Sequence, residues 1–269
     1  MQLRQREIYA ELALMATDAQ ASADLAQWTL LLARKMQQRN ETAHNAVYLL
    51  FAYTASIRTD TARADFVRHQ QKDTICMPTE QGAVVYTIST RFKNNMSRSE
   101  NHMLIAATCL CVASKMQDGQ YSIILRPGQI IDAMRASGNV LAQNTMYDFI
   151  TVERDLLETL QWRLFRVHSP VFFAETLFDH FAVADAEQLL THDFLAKCLS
   201  SQEYVFVVPS DLAAICLVAA LYKNNKSTPI AAVACFAGTS TAFLLKHRAR
   251  VTQMPRRRPP CITRLAGFQ

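Results

Sequence analysis

Ile105-Ala-Ala-Thr-Cys-Leu-Cys-Val-Ala-Ser-Lys115 and Leu212-Ala-Ala-Ile-Cys-Leu-Val-Ala-Ala-Leu-Tyr222 share an Ala-Ala-x-Cys-Leu core followed by a later Ala. Each stretch is too long and too rich in Ala and Leu for a typical strand. Each therefore reads as a helix that is apolar all round and buried among other helices. Small residues on such a helix let its neighbours approach closely. Two copies separated by about a hundred residues point to a helical bundle duplicated in tandem, each copy of ordinary domain size.

Composition agrees with an all-α protein. Half of the 269 residues are hydrophobic, and there are only six Gly and eight Pro. The abundant Ala, Leu, Met, Gln and Arg favour helix by propensity. Seven Cys is an odd number, and Cys109, Cys111, Cys216 and Cys235 lie inside apolar runs, where a free thiol behaves as a small hydrophobe. Reduced core cysteines are expected. Cys109 and Cys111 project to nearly opposite sides of a helix, so no shared zinc and no other metal is expected.

Helices are expected at roughly 3–17, 22–38 and 43–57, then at about 61–74, 79–93, 98–116, 124–136 and 145–164. Ser97-Arg-Ser-Glu100 has capping-box spacing, in which a hydroxyl and a carboxylate satisfy free N–H groups at a helix start. Ser169-Pro170 opens the second half, with serine as N-cap and proline in the first helical position. Further helices follow near 170–182, 186–201, 210–223 and 229–247. The division expected is an N-terminal helical extension over 1–57, a first repeat over 58–167, a second over 168–247 without a convincing final helix, and a basic, disordered tail over 248–269.

Charge is unevenly placed. The net value is +5, yet no acidic residue follows Asp211, while Lys223, Lys226, Lys246, Arg248, Arg250, Arg256, Arg257, Arg258 and Arg264 all do. The body is mildly acidic and the end basic. Pro229 to Leu245 carries no charge and is only marginally long enough to span a bilayer. It reads as a buried helix, and no membrane association is expected. The start of the chain leads into no apolar stretch of the signal-peptide kind.

On the helix at 145–164, Met146, Phe149, Val152, Leu156, Leu157, Leu160 and Leu164 fall on one side. Glu153 lies within that stripe, where a carboxylate is costly to desolvate unless a cation holds it. Lys115, ending the buried helix of the same half, is the candidate partner.

Ile105 to Asp118, Val152-Glu-Arg-Asp-Leu-Leu-Glu-Thr-Leu-Gln-Trp-Arg-Leu164 and Val167-His-Ser-Pro170 together resemble the cyclin box, most closely that of the transcription-type cyclins C, H, K, L and T. In that family a buried helix ends in Ala-Ser-Lys or Ala-Ala-Lys, and a later helix carries a Glu three residues before a Leu-Leu pair. The likeness continues in Phe206-Val-Val-Pro-Ser-Asp-Leu-Ala-Ala-Ile-Cys-Leu217. Upstream, Arg63 to Pro78 with Gly82 to Tyr86 and Arg91-Phe92 is similar to the first two helices of the box. A second register sets Asn40-Glu-Thr-Ala-His-Asn-Ala-Val47 on the second helix instead, with a long insertion before Ser97. The first is preferred for its short connection. Gln117-Asp118 departs from the family, in which many members have two acidic residues there.

The resemblance implies two tandem cyclin-like bundles and a non-catalytic subunit that binds and activates a cyclin-dependent kinase. Lys115 and Glu153 would grip backbone groups beside the kinase's regulatory helix, with Met116, Phe149 and Leu156 as interface support. It implies no cofactor, no small-molecule substrate and a nuclear location. The competing readings are a cyclin-fold scaffold that works without a kinase and a nucleic-acid-binding protein resembling the core of general transcription factor TFIIB, which needs basic residues on structured surface. The first repeat is not basic, so nucleic acid is not expected as a partner. An enzyme is disfavoured by the lack of a Gly-rich phosphate loop or a His-Glu-x-x-His motif, and His102, His168 and His180 read as capping or surface histidines.

Overall fold

The computed structural model describes residues 19–64, 74–79, 82–87, 98–116, 124–136, 144–162, 164, 168–205, 207–226 and 229–254. Ten helices and one hairpin follow in chain order. They are α1 (Ala19–Lys35), α2 (Asn40–Ala64), β1 (Thr74–Thr79), β2 (Gly82–Thr87), α3 (Arg98–Met116), α4 (Pro127–Arg135), α5 (Met146–Thr159), α6 (Pro170–Phe181), α7 (Asp185–Leu199), α8 (Pro209–Lys223), α9 (Ile230–Ala237) and α10 (Thr241–Gln253).

The two near-repeats are the central helices of two helical bundles. Met103 to Ser114 in α3 and Pro209 to Ala220 in α8 are buried without interruption. Helices apolar all round must be enclosed on every side. Around α3 gather α1, α2 and α5; around α8 gather α6, α7, α9 and α10.

The N-terminal helices belong to both cores. Leu25, Trp28, Leu32 and Ala33 of α1, with Ala43, Ala46, Leu49, Leu50 and Tyr53 of α2, join the first. Ala23 and Ala26 of α1, with Val47, Tyr48 and Phe51 of α2, join the second. A helix with apolar residues on two sides of its circumference can bury both only between two bodies. The stretch that reads from sequence as an extension thus fills the space between the bundles.

The structure takes the second of the two registers. The helix starting at Asn40 packs on α3, while residues 82–87, inside the helix expected over 79–93, are instead a strand paired antiparallel with residues 74–79, from Thr74↔Thr87 to Thr79↔Gly82. Val84, Val85 and Tyr86 favour strand. Pro78 is compatible with a two-stranded sheet, in which each strand has a free edge.

The second bundle closes with two helices. The apolar stretch after Pro229 breaks at Gly238, whose φ of 68° is left-handed, and Ser240 caps the next helix by accepting from Phe243 N at 3.1 Å. α9 and α10 meet at 106°, and no single helix among the described residues is long and apolar enough to cross a membrane. The final helix missing from the sequence reading is α10, which carries Arg248 and Arg250. Tyr204 Oη lies 3.1 Å from His247 Nδ1, and the Arg248 guanidinium sits 3.9 Å from the Tyr222 ring centroid.

Other details differ locally. Ser169 does precede Pro170 at the start of α6, but its hydroxyl makes no capping bond; the Ser169 carbonyl accepts from Phe172 N instead. Cys109, Cys111, Cys198 and Cys216 are buried free thiols, whereas Cys235 is exposed. His168 stacks on Phe172 and His180 packs on Phe236. The helix expected at 3–17, Ser97 of the capping box, Gln117-Asp118, and the end of the chain from Pro255 lie outside the described residues.

Candidate functional site

Helix α5 is set in place by its start. Thr145 Oγ1 accepts from Asp148 N while Asp148 Oδ2 accepts from Thr145 N at 2.7 Å, a reciprocal capping box. From there Phe149, Val152, Leu156 and Leu160 turn into the first core against α3. Glu153 stands on the edge of that stripe.

Lys115 and Glu153 meet. The ammonium donates to both carboxylate oxygens, at 2.6 and 2.7 Å. Their side chains are 43% and 21% exposed, so the pair sits at the surface with its acid partly sunk. Beneath it lies Cys111, one turn before Lys115, whose thiol burial pushes up to about 12; the Lys115 charge opposes that shift and Glu153 adds to it.

Ser114 explains why the triplet before the pair contains a hydroxyl. Its Oγ is buried, donates to Cys111 O at 2.8 Å and accepts from Leu125 N at 3.0 Å. This bond ties the end of α3 to the entry of α4 and brings Ile124, an exposed large hydrophobe, into that entry.

The apolar surface near the pair comes from α5 rather than α3. Met146, Tyr147 and Ile150 are 48%, 41% and 51% exposed, and Met146, Ile150 and Glu153 follow one another at helical spacing. Residues 103–114 of α3 are buried and offer nothing outward. Of the supporting residues read from sequence, Met116 is half-buried against the first core, and Phe149 and Leu156 lie inside it. Those two cannot touch a partner; they act by fixing α5. The stripe reading missed this because its centre, at Phe149, Val152 and Leu156, faces inward, which leaves Met146 outside.

A contact between distant segments was also invisible in the sequence. Tyr53 of α2, itself buried, donates its hydroxyl to Asp155 Oδ2 of α5. Burial first, then the Asp155 charge and hydrogen bond, hold the phenol far above its ordinary pKa, so it remains a donor.

Residues 74–165 match the family model for the cyclin N-terminal domain. Over nearly the whole chain the fold is similar to that of a viral cyclin from herpesvirus saimiri, with a TM-score of 0.59 at 13% identity, covering 93% of this chain and 95% of that one. No curated protein matches by sequence. Residues 74–165 thus carry the likeness to a cyclin N-terminal domain, and the described residues adopt the helical cyclin fold.

Proposed function

We propose that this chain is a regulatory subunit that binds a cyclin-dependent serine/threonine kinase and holds it in its active arrangement, performing no chemistry itself. The observation that carries this reading is the bidentate Lys115–Glu153 pair beside exposed Met146, Tyr147 and Ile150. A partly exposed ion pair contributes only about 0–1 kcal/mol to a fold. On a docking surface the same two charges set register against a partner's backbone groups, while the apolar side chains supply contact area.

Activation follows from differential binding. A kinase is competent when the Glu of its regulatory helix reaches the catalytic Lys. A subunit that binds only this arrangement shifts the equilibrium toward it. The resemblance of Val167-His-Ser-Pro170 to transcription-type cyclins favours a kinase serving transcription, and with it a nuclear location.

The test is co-purification of the full chain with purified cyclin-dependent kinases, together with the Lys115→Ala/Glu153→Ala variant. Recovery of active kinase by the wild type and its loss in the folded variant support the proposal. Equal recovery by both removes the pair from the interface. A salt-sensitive association with DNA that ignores both substitutions favours a nucleic-acid-binding member of the fold.

A further inference from the structure

The rotational setting of α5 is held by two polar contacts on opposite flanks. Glu153 and Asp155 are two residues apart, which places them about 200° apart around the helix. One reaches α3 through Lys115, the other reaches α2 through Tyr53. Between them Phe149, Val152 and Leu156 enter the first core.

Apolar packing is non-directional, and a stripe of three side chains tolerates a small roll of the helix better than hydrogen bonds do. Rolling α5 would carry Glu153, Met146 and Ile150 together, because they share one side. We infer that Tyr53 is a positioning residue for the kinase-binding face: through Asp155 it fixes the roll of α5 and hence the place of Glu153 and of the exposed Met146–Ile150 stripe. This deepens the function proposed above and rests on it.

Tyr53 suits this task. It is 2% exposed, so the partner cannot touch it and any effect on binding passes through the fold. It projects from the N-terminal helix pair that joins the two cores.

The experiment measures the affinity of the full chain for a purified cyclin-dependent kinase, with circular dichroism and thermal melting as controls on folding. Tyr53→Phe keeps the ring and removes the donor; it is expected to weaken kinase binding about five- to tenfold. Asp155→Ala is expected to do the same, and Asp155→Asn, which keeps an acceptor oxygen, to restore most of that loss. Because Tyr53 acts through Glu153, combining Tyr53→Phe with Glu153→Gln is expected to cost less than the product of the single effects. Unchanged affinity in Tyr53→Phe, or effects that simply multiply, overturn the inference while leaving the function standing. A wild-type chain that binds no kinase overturns the function and this inference with it.

Discussion

Lys115 and Glu153 stand 38 residues apart in the chain and join through both carboxylate oxygens across the seam between α3 and α5. The pair is open to water on one side, with Lys115 43% exposed, so its contribution to folding is small. Replacing both by Ala is expected to change unfolding free energy by no more than about 1 kcal/mol, as read from denaturant titration, while abolishing kinase capture. A large loss of stability would mark the pair as structural.

Burial of His44 makes the protein sensitive to acid. Its ring is held in α2 with Nδ1 unpartnered among the described residues, and burial, with His192 as a lesser cause, lowers its pKa from 6.5 to about 3. His192 on α7 is lowered too, by burial. A histidine that must stay neutral when folded binds a proton more readily when unfolded. Stability is therefore full above the unfolded value of 6.5 and falls as the pH drops below it. Between pH 7 and pH 5 His44 alone is expected to cost about 2 kcal/mol. His44→Leu is expected to flatten that dependence in melts recorded across this range, and an unchanged pH profile would remove His44 as its source.

Leu50 and Phe51 are neighbours in sequence but serve different cores. Leu50→Ala is expected to cost about 2–5 kcal/mol and Phe51→Ala about 3–5 kcal/mol. Hydrogen exchange separates them. Protection should fall first around 103–113 for the former and around 212–220 for the latter, and identical exchange maps would mean that the two cores unfold as one.

Much of this arrangement was legible because it is local. The all-apolar helices at 105–115 and 212–222 announce themselves by composition, and Glu153 inside an apolar stripe asks for a cation that Lys115 supplies. What escaped is tertiary. Whether α2 or a later segment packs on α3 is decided by tertiary contact, which a preference for short connections does not capture. Val84-Val85-Tyr86 lies at the border of strand and helix by periodicity, and pairing with Thr74–Thr79 settles it as strand. Which residues of α5 face out depends on where α3 lies, so Phe149 and Leu156, expected as interface support, lie in the core while Met146 of the same stripe is exposed. Tyr53 and Asp155 carry no local signal at all.

Ile150 tests whether the exposed stripe has a task. It is 51% exposed on α5, one turn before Glu153 and one turn after Met146. A large apolar side chain that gives up half its surface to solvent contributes little to its own core, so Ile150→Glu is expected to shift stability within about 0.5 kcal/mol. At an interface the same change puts an unpaired carboxylate into a desolvated contact, a cost of several kcal/mol. Binding of a cyclin-dependent kinase, followed by surface plasmon resonance, is therefore expected to fall by at least tenfold with the melting temperature nearly unmoved. Leu189, which is 70% exposed on α7 of the second bundle, serves as the control, since Leu189→Glu adds the same charge to a still more open position away from the pair. Loss of binding in both variants would trace the effect to net charge; loss in Ile150→Glu alone assigns it to the face that Lys115 and Glu153 share.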